Sequence, residues 1–152
     1  MSIWGLAFLI GVIAGLRAMT APAVVSWAAR LGWLHLANTW LSFLGAAVTP
    51  WIVSVLALGE LVADQLPGTP SRKAPPGFGA RIVTGARCGG ALGASGGALA
   101  EGMIAGVVGA VVGTLGGYEV RVRAAKAIGK DLPVALIEDA IAIGGALLIV
   151  SR

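Results

Sequence analysis

"LSFLGAAVTPWIVSVLALGELVADQLPGTP" (residues 41–70) carries no charge until Glu60, and then places Asp64 four residues further on, just before Pro67. On a helix, two residues four apart share one face. A run this apolar belongs to a buried or lipid-facing helix, and the acids mark where that helix leaves its apolar surroundings. The rest of the chain decides which surroundings they are.

Hydrophobic residues make up 57% of the 152 residues and charged residues only 12%, whereas a soluble domain is about a quarter charged. Mean hydropathy is +0.90. Such a chain lacks the polar residues to cover a water-facing surface. Its apolar runs, separated by short polar islands, indicate an all-α, polytopic membrane bundle forming a single domain over residues 1–152.

Net charge is +4 and the isoelectric point is near 10. Nucleic acid is excluded as the reason, because the cations flank apolar runs and form no aromatic-basic recognition face. The bilayer, with anionic lipid headgroups at the cytoplasmic face, is the expected partner. Cys88 and His35 are each the only residue of their kind, which excludes an intramolecular disulfide and a multi-cysteine metal site. Cys88 lies among glycines and reads as a packed thiol. No cofactor motif is present.

The N-terminal "MSIWGLAFLIGVIAGLRAMTAPA" has the apolar core of a signal peptide. It lacks a Lys or Arg before that core, and Pro22 falls inside the would-be cleavage site, so a retained segment is expected.

Six apolar segments are predicted, at about 3–16, 18–34, 41–63, 82–99, 102–119 and 133–150. Fourteen residues of helix reach roughly 21 Å, short of a hydrocarbon core of roughly 30 Å. The first two segments are therefore tilted, broken, or fused into one span kinked near Pro22, which would give five crossings. With six segments, one side receives Arg17, Arg72, Lys73, Arg81, Arg121, Arg123, Lys126 and Lys130, and the other only Arg30 and Arg152. Positive-inside bias places the basic side in the cytoplasm. Trp4, Trp33 and Trp40 fall at the opposite interface, while Trp27 and Trp51 read as packing residues.

"GLRAMT" (15–20) and "GARIVT" (79–84) share G-x-R-x-x-T, and each opens a hairpin that returns at an acid, Glu60 or Glu119. Two such hairpins, 15–60 and 79–119, would form an internal repeat about the membrane normal. Coincidence in a glycine-rich chain explains the match equally well.

Gly85, Gly89, Gly93 and Gly97 repeat every four residues, and Gly102, Gly106, Gly109, Gly113 and Gly116 alternate spacings of four and three. Lipid supplies no hydrophobic force between helices, so close backbone contact must hold them together. These stripes predict tight antiparallel docking of segments 4 and 5, or a subunit interface in a homo-oligomer.

Ionisable residues within apolar segments are costly and mark candidate sites. Arg17 and Arg81 lie at the basic side, and Arg17, between two apolar runs, is readable as a snorkelling cation or as part of a site. Arg87 divides in the same way between an internal ion pair and a headgroup contact. Glu138 and Asp139 lie just inside the last segment, near the helix N-terminus where the dipole favours acids, although both are already beyond the first turn. Glu60 and Asp64 occupy the C-terminal end of their helix, where the dipole disfavours them and they repel each other. A cation should compensate, with Arg17, Arg81 and Arg121 at the same depth. That opposition makes Glu60 and Asp64 the leading pair.

"GLRAMTAPAVVSWAA", "GELVADQLPGTPSRKAPPGFGARIVTGA" and "LPVALIEDAIAIGGALLIV" together resemble the family of small bacterial membrane proteins known as domain of unknown function 4126. Its E-L-x-A-D-x-x-P pattern matches Glu60, Leu61, Ala63, Asp64 and Pro67, and its later E-D pair matches Glu138 and Asp139. The resemblance implies a multi-pass protein of the bacterial inner membrane and implies no substrate.

Three functions fit. A transporter or channel for a small solute or ion would use the carboxylates near one mouth of the bundle, with the arginines, as its site. A non-catalytic scaffold or accessory subunit would use the glycine stripes to hold a partner. A headgroup-modifying enzyme would need the acids to position Mg²⁺, but the chain lacks a histidine cluster and a D-x-x-D signature, so no enzymatic activity is expected.

Overall fold

The computed structural model describes residues 2–36, 39–63, 75–130 and 132–151. Every regular element among them is helical: α1 (Ile3–Leu16), α2 (Thr20–Arg30), a 3-10 helix (Trp40–Gly45), α3 (Thr49–Ala63), α4 (Pro75–Ser95), α5 (Leu99–Ile128) and α6 (Leu132–Val150). Of the described helices, α5 and α6 are long and apolar enough to cross a membrane, while α1 and α3 are apolar but shorter.

Local chemistry sets the boundaries. The Ser2 side chain caps α1 by accepting from the Gly5 N–H at 3.2 Å. At Arg17 the backbone turns extended, ending α1 after 14 residues. Pro22 lies in the first turn of α2, where its missing N–H is harmless. Gly97 and Gly129 have φ of +79° and +84°. These are left-handed conformations, and they close the α4–α5 turn and the C-terminus of α5.

Four expected segments change shape, the first being 82–99, which begins earlier and ends sooner as Pro75–Ser95 and so takes Arg81 into a helix. Residues 41–63 are not one helix, because the 3-10 helix and α3 are separate and Pro50 sits in the first turn of α3. Segment 18–34 shrinks to the 11 residues of α2. Segment 102–119 lengthens to Leu99–Ile128, so Arg121, Arg123 and Lys126 lie on the last turns of a helix and not in a loop. The fused, kinked version of segments 1 and 2 is not adopted, since the chain reverses at residues 17–19. Beyond α2, His35 donates its N–H to Ser95 Oγ at 3.2 Å, while a Cβ at Gly96 would lie 3.1 Å from Ile3 Cγ1. The far ends of α1 and α2 therefore meet at the same end of the bundle.

Glycine contact organises the other half. A Cβ at Gly89 would strike the backbone of Gly102 and Gly106, one at Gly93 that of Ala98 and Gly102, and one at Gly85 that of Gly106. Partner numbers fall as these rise, so α4 and α5 dock antiparallel, as the stripes predicted. The opposite flank of α5 receives α1: Gly11 meets Gly106, Gly15 meets Ala110, and Gly109 and Gly113 meet Phe8 and Val12. Numbers rise together there, so α1 runs parallel to α5. Sequence reading missed this second seam, whose only sign on α1 is Gly11 and Gly15.

α2 lies against α3, α6 and the 3-10 helix. The buried core gathers Ile10, Val25, Leu41, Cys88, Leu92 and Ala142 from α1, α2, the 3-10 helix, α4 and α6. Cys88 is packed, as expected. Outward faces are apolar: Trp51, Val55 and Leu58 on α3, Val108 on α5, and Ile137 and Leu148 on α6 are all exposed. Trp4, Trp33 and Trp40 are exposed as well, whereas Trp27 packs edge-to-face on Trp51 at 5.1 Å and donates its indole N–H to Ser54 Oγ at 2.9 Å.

Candidate functional site: a charged cluster at the α1–α2 break

The break at residues 17–19 exposes two helix ends to each other's surroundings. The C-terminus of α1 leaves carbonyls without helical partners, and the N-terminus of α2 leaves N–H groups in the same state. Each is met by a side chain of the favourable charge. Arg81 on α4, 7% exposed, donates from Nε to the Gly15 carbonyl at 3.2 Å. Its Nη1 reaches the Gly77 carbonyl at 3.2 Å. Thr114 on α5 donates to the same Gly15 carbonyl at 3.3 Å. On the other side Glu60, from the last turns of α3, accepts from the N–H groups of Ala18 at 3.0 Å and Met19 at 3.4 Å.

Arg17 lies between these two ends and has no exposure at all. Its Nε donates to Asp139 Oδ1 at 2.6 Å, its Nη2 meets the same oxygen, and Nη2 lies 3.8 Å from Glu138 Oε1. Both acids belong to α6 and are 9% exposed. A cation removed so completely from water requires an anion at contact distance, and Asp139 is that anion.

Five of the residues singled out from sequence therefore meet around one turn of chain: Arg17, Glu60, Arg81, Glu138 and Asp139. Asp64 lies outside the described residues, as do Arg72 and Lys73. The dipole argument required Glu60 to find positive potential, and the start of α2 provides some of it. Arg87 is exposed on α4, which settles its two readings against an internal ion pair. Glu119 is exposed and 3.9 Å from Arg123, outside the cluster. The two G-x-R-x-x-T motifs differ in backbone, one spanning the break and the other lying wholly within α4, and they touch through the Arg81–Gly15 bond.

Sequence reasoning gave no place to the hydroxyls of Thr20, Ser26 and Thr114. All three are buried, and those of Thr20 and Ser26 have no hydrogen-bond partner among the described residues. A polar residue amid apolar positions is the only sequence sign of them.

Fold and cluster define an all-helical protein with two helices of membrane-crossing length, built around a broken hairpin whose turn holds a buried arginine. No family model matches the chain, and no curated protein and no solved structure shows significant similarity to it.

Proposed function

We propose that the protein is a multi-pass protein of the bacterial inner membrane, with six helical segments in the bilayer, that moves a small solute or ion through the bundle. The observation that carries this reading is the convergence of Arg17, Glu60, Arg81, Glu138 and Asp139, from four segments of the chain, on the ends of two broken helices. Helix ends of opposite dipole, flanked by buried charges, are the arrangement used to bind ions and small charged solutes within membranes. The buried hydroxyls of Thr20 and Ser26 add polar groups that a solute or water could engage.

The membrane placement draws support from the outward faces. α3, α5 and α6 each expose several large apolar side chains, where soluble proteins expose such residues mostly singly, and lipid is the neighbour that suits them. Positive-inside bias puts the cluster end at the cytoplasm, because Arg121, Arg123, Lys126 and Lys130 lie beyond it.

The scaffold reading loses ground because the glycines expected to hold a partner, all but Gly97 and Gly116, are engaged within the chain, between α4, α5 and α1. In proteoliposomes loaded with a pH- or cation-reporting dye, the transporter reading predicts flux that Glu60→Gln abolishes while the far-ultraviolet helical signal and detergent elution stay unchanged. Equal flux in wild type, E60Q and empty liposomes would refute it, and a stable partner recovered in mild detergent would then favour the scaffold.

A further inference from the structure

A second feature lies beside the cluster and is not explained by it. Between the second half of α5 and the first half of α6 runs an open groove of about 430 Å³ with Val12 and Leu16 of α1 as its floor. That volume is within the roughly 300–1,000 Å³ of small-ligand sites. The groove exists because α5 shows Gly113, Gly116 and Gly117 to this side. No side chain bridges from there to α6, and a Cβ at Gly116 would meet nothing within 4 Å.

Two ionisable residues line the groove. Glu138 belongs to the wall nearest Arg17, which lies 3.8 Å from it. Arg121 is on the α5 wall, on the same helical face as Gly117, Ala124 and Ile128. Beyond it the exposed Arg123, Lys126 and Lys130 complete a basic end. The slot is thus apolar along its length and cationic at one end.

We propose that this groove binds one acyl chain of an anionic phospholipid, with the headgroup phosphate against Arg121 and the basic end of α5. Charge complementarity selects this occupant. A zwitterionic lipid would satisfy the apolar wall but bring no net negative charge to an end where Arg121, Arg123, Lys126 and Lys130 outnumber Glu119. A water-soluble phosphate would find the cations and leave the wall uncovered. A second copy of the chain, docked about a two-fold axis, would bring another basic end against the first. The proposal rests on the membrane placement and is independent of transport.

The test is native mass spectrometry of the full chain, purified in detergent and titrated with phosphatidylglycerol or phosphatidylcholine of matched acyl chains. One phosphatidylglycerol should be retained per chain, at least tenfold more tightly than phosphatidylcholine, and short-chain glycerophosphate should not compete. Arg121→Gln should erase most of the preference between the two lipids. Gly116→Leu, which enters open space and leaves the glycine seams alone, should weaken retention of both at least tenfold while the helical signal is kept. Equal retention of the two lipids by the wild type, or retention unaffected by Gly116→Leu, would overturn the proposal. A dimer that Gly116→Leu dissociates would instead assign the groove to a second copy. A chain recovered from the soluble fraction without detergent would overturn the membrane placement itself, whatever the lipid result.

Discussion

Replacing Arg17 by methionine separates a structural latch from a bystander. The guanidinium has no exposure, and its Nε lies 2.6 Å from Asp139 Oδ1. Removing it leaves Asp139 and Glu138, each 9% exposed, without that cation. Breaking a buried pair by removing one partner costs about 3–5 kcal/mol, because the remaining charge stays desolvated. Removing both partners is different, since a well-packed apolar replacement is often neutral. Arg17→Met/Asp139→Leu should therefore recover most of the loss, and the 3.8 Å neighbour Glu138 should keep the recovery incomplete. Unfolding in mixed detergent–SDS micelles, followed by the fluorescence of Trp27 on α2 and Trp51 on α3, reads both variants. Arg17→Met within about 1 kcal/mol of wild type, the range of exposed pairs, would refute the assignment of a buried pair that closes the break. A double variant no better than the single one would refute the coupling.

Gly106→Ala and Gly116→Ala make a matched pair on one helix. Alanine gains about 1 kcal/mol of helix propensity over glycine, so Gly116→Ala, in open space, should raise the unfolding midpoint. The same change at Gly106, where the new carbon would strike the Gly85 backbone and lie 3.0 Å from Gly89 Cα, should lower it; equal shifts would refute the backbone seam. The bundle's polarity can be read by cysteine labelling. The native Cys88 is buried and should stay unlabelled in intact spheroplasts and in inverted vesicles. A membrane-impermeant maleimide should reach a cysteine placed at Lys130 only in inverted vesicles, and one placed at Gly97 only in spheroplasts. The reverse pattern would invert the orientation.

Much of this architecture is written locally and can be read that way. The α4–α5 docking follows from a glycine stripe because helices pack backbone to backbone only through their smallest residues. The need for positive potential at Glu60 follows from its place at a helix C-terminus. What hydropathy could not show is where helices stop. "RVRAAKAI" is polar enough to look like a loop, yet Arg, Ala and Lys are strong helix formers, so α5 continues through it to Ile128. The 3-10 break is hidden in an unbroken apolar run because Pro50 suits the first turn of a helix as well as it disrupts an interior. Glu138 and Asp139 ranked below Glu60 because a single sequence gives no sign that Arg17 lies opposite them. Side chains 122 residues apart meet only when the bundle closes.

The seams of α5 with α1 and α4 have a mechanical consequence. Where backbone lies against backbone, no side chain can change rotamer to let one helix slide past the next, so these three helices move as one stiff plate. The other faces, where α2, α3 and α6 meet through side chains, are free to repack in small discrete steps. Arg17 and Asp139 face each other across that boundary, one fixed to the plate and one to its neighbour. Glu138 beside the same guanidinium, and Glu60 against the N–H groups of Ala18 and Met19, cross it as well, so any movement of α3 or α6 against the plate has to break these polar contacts.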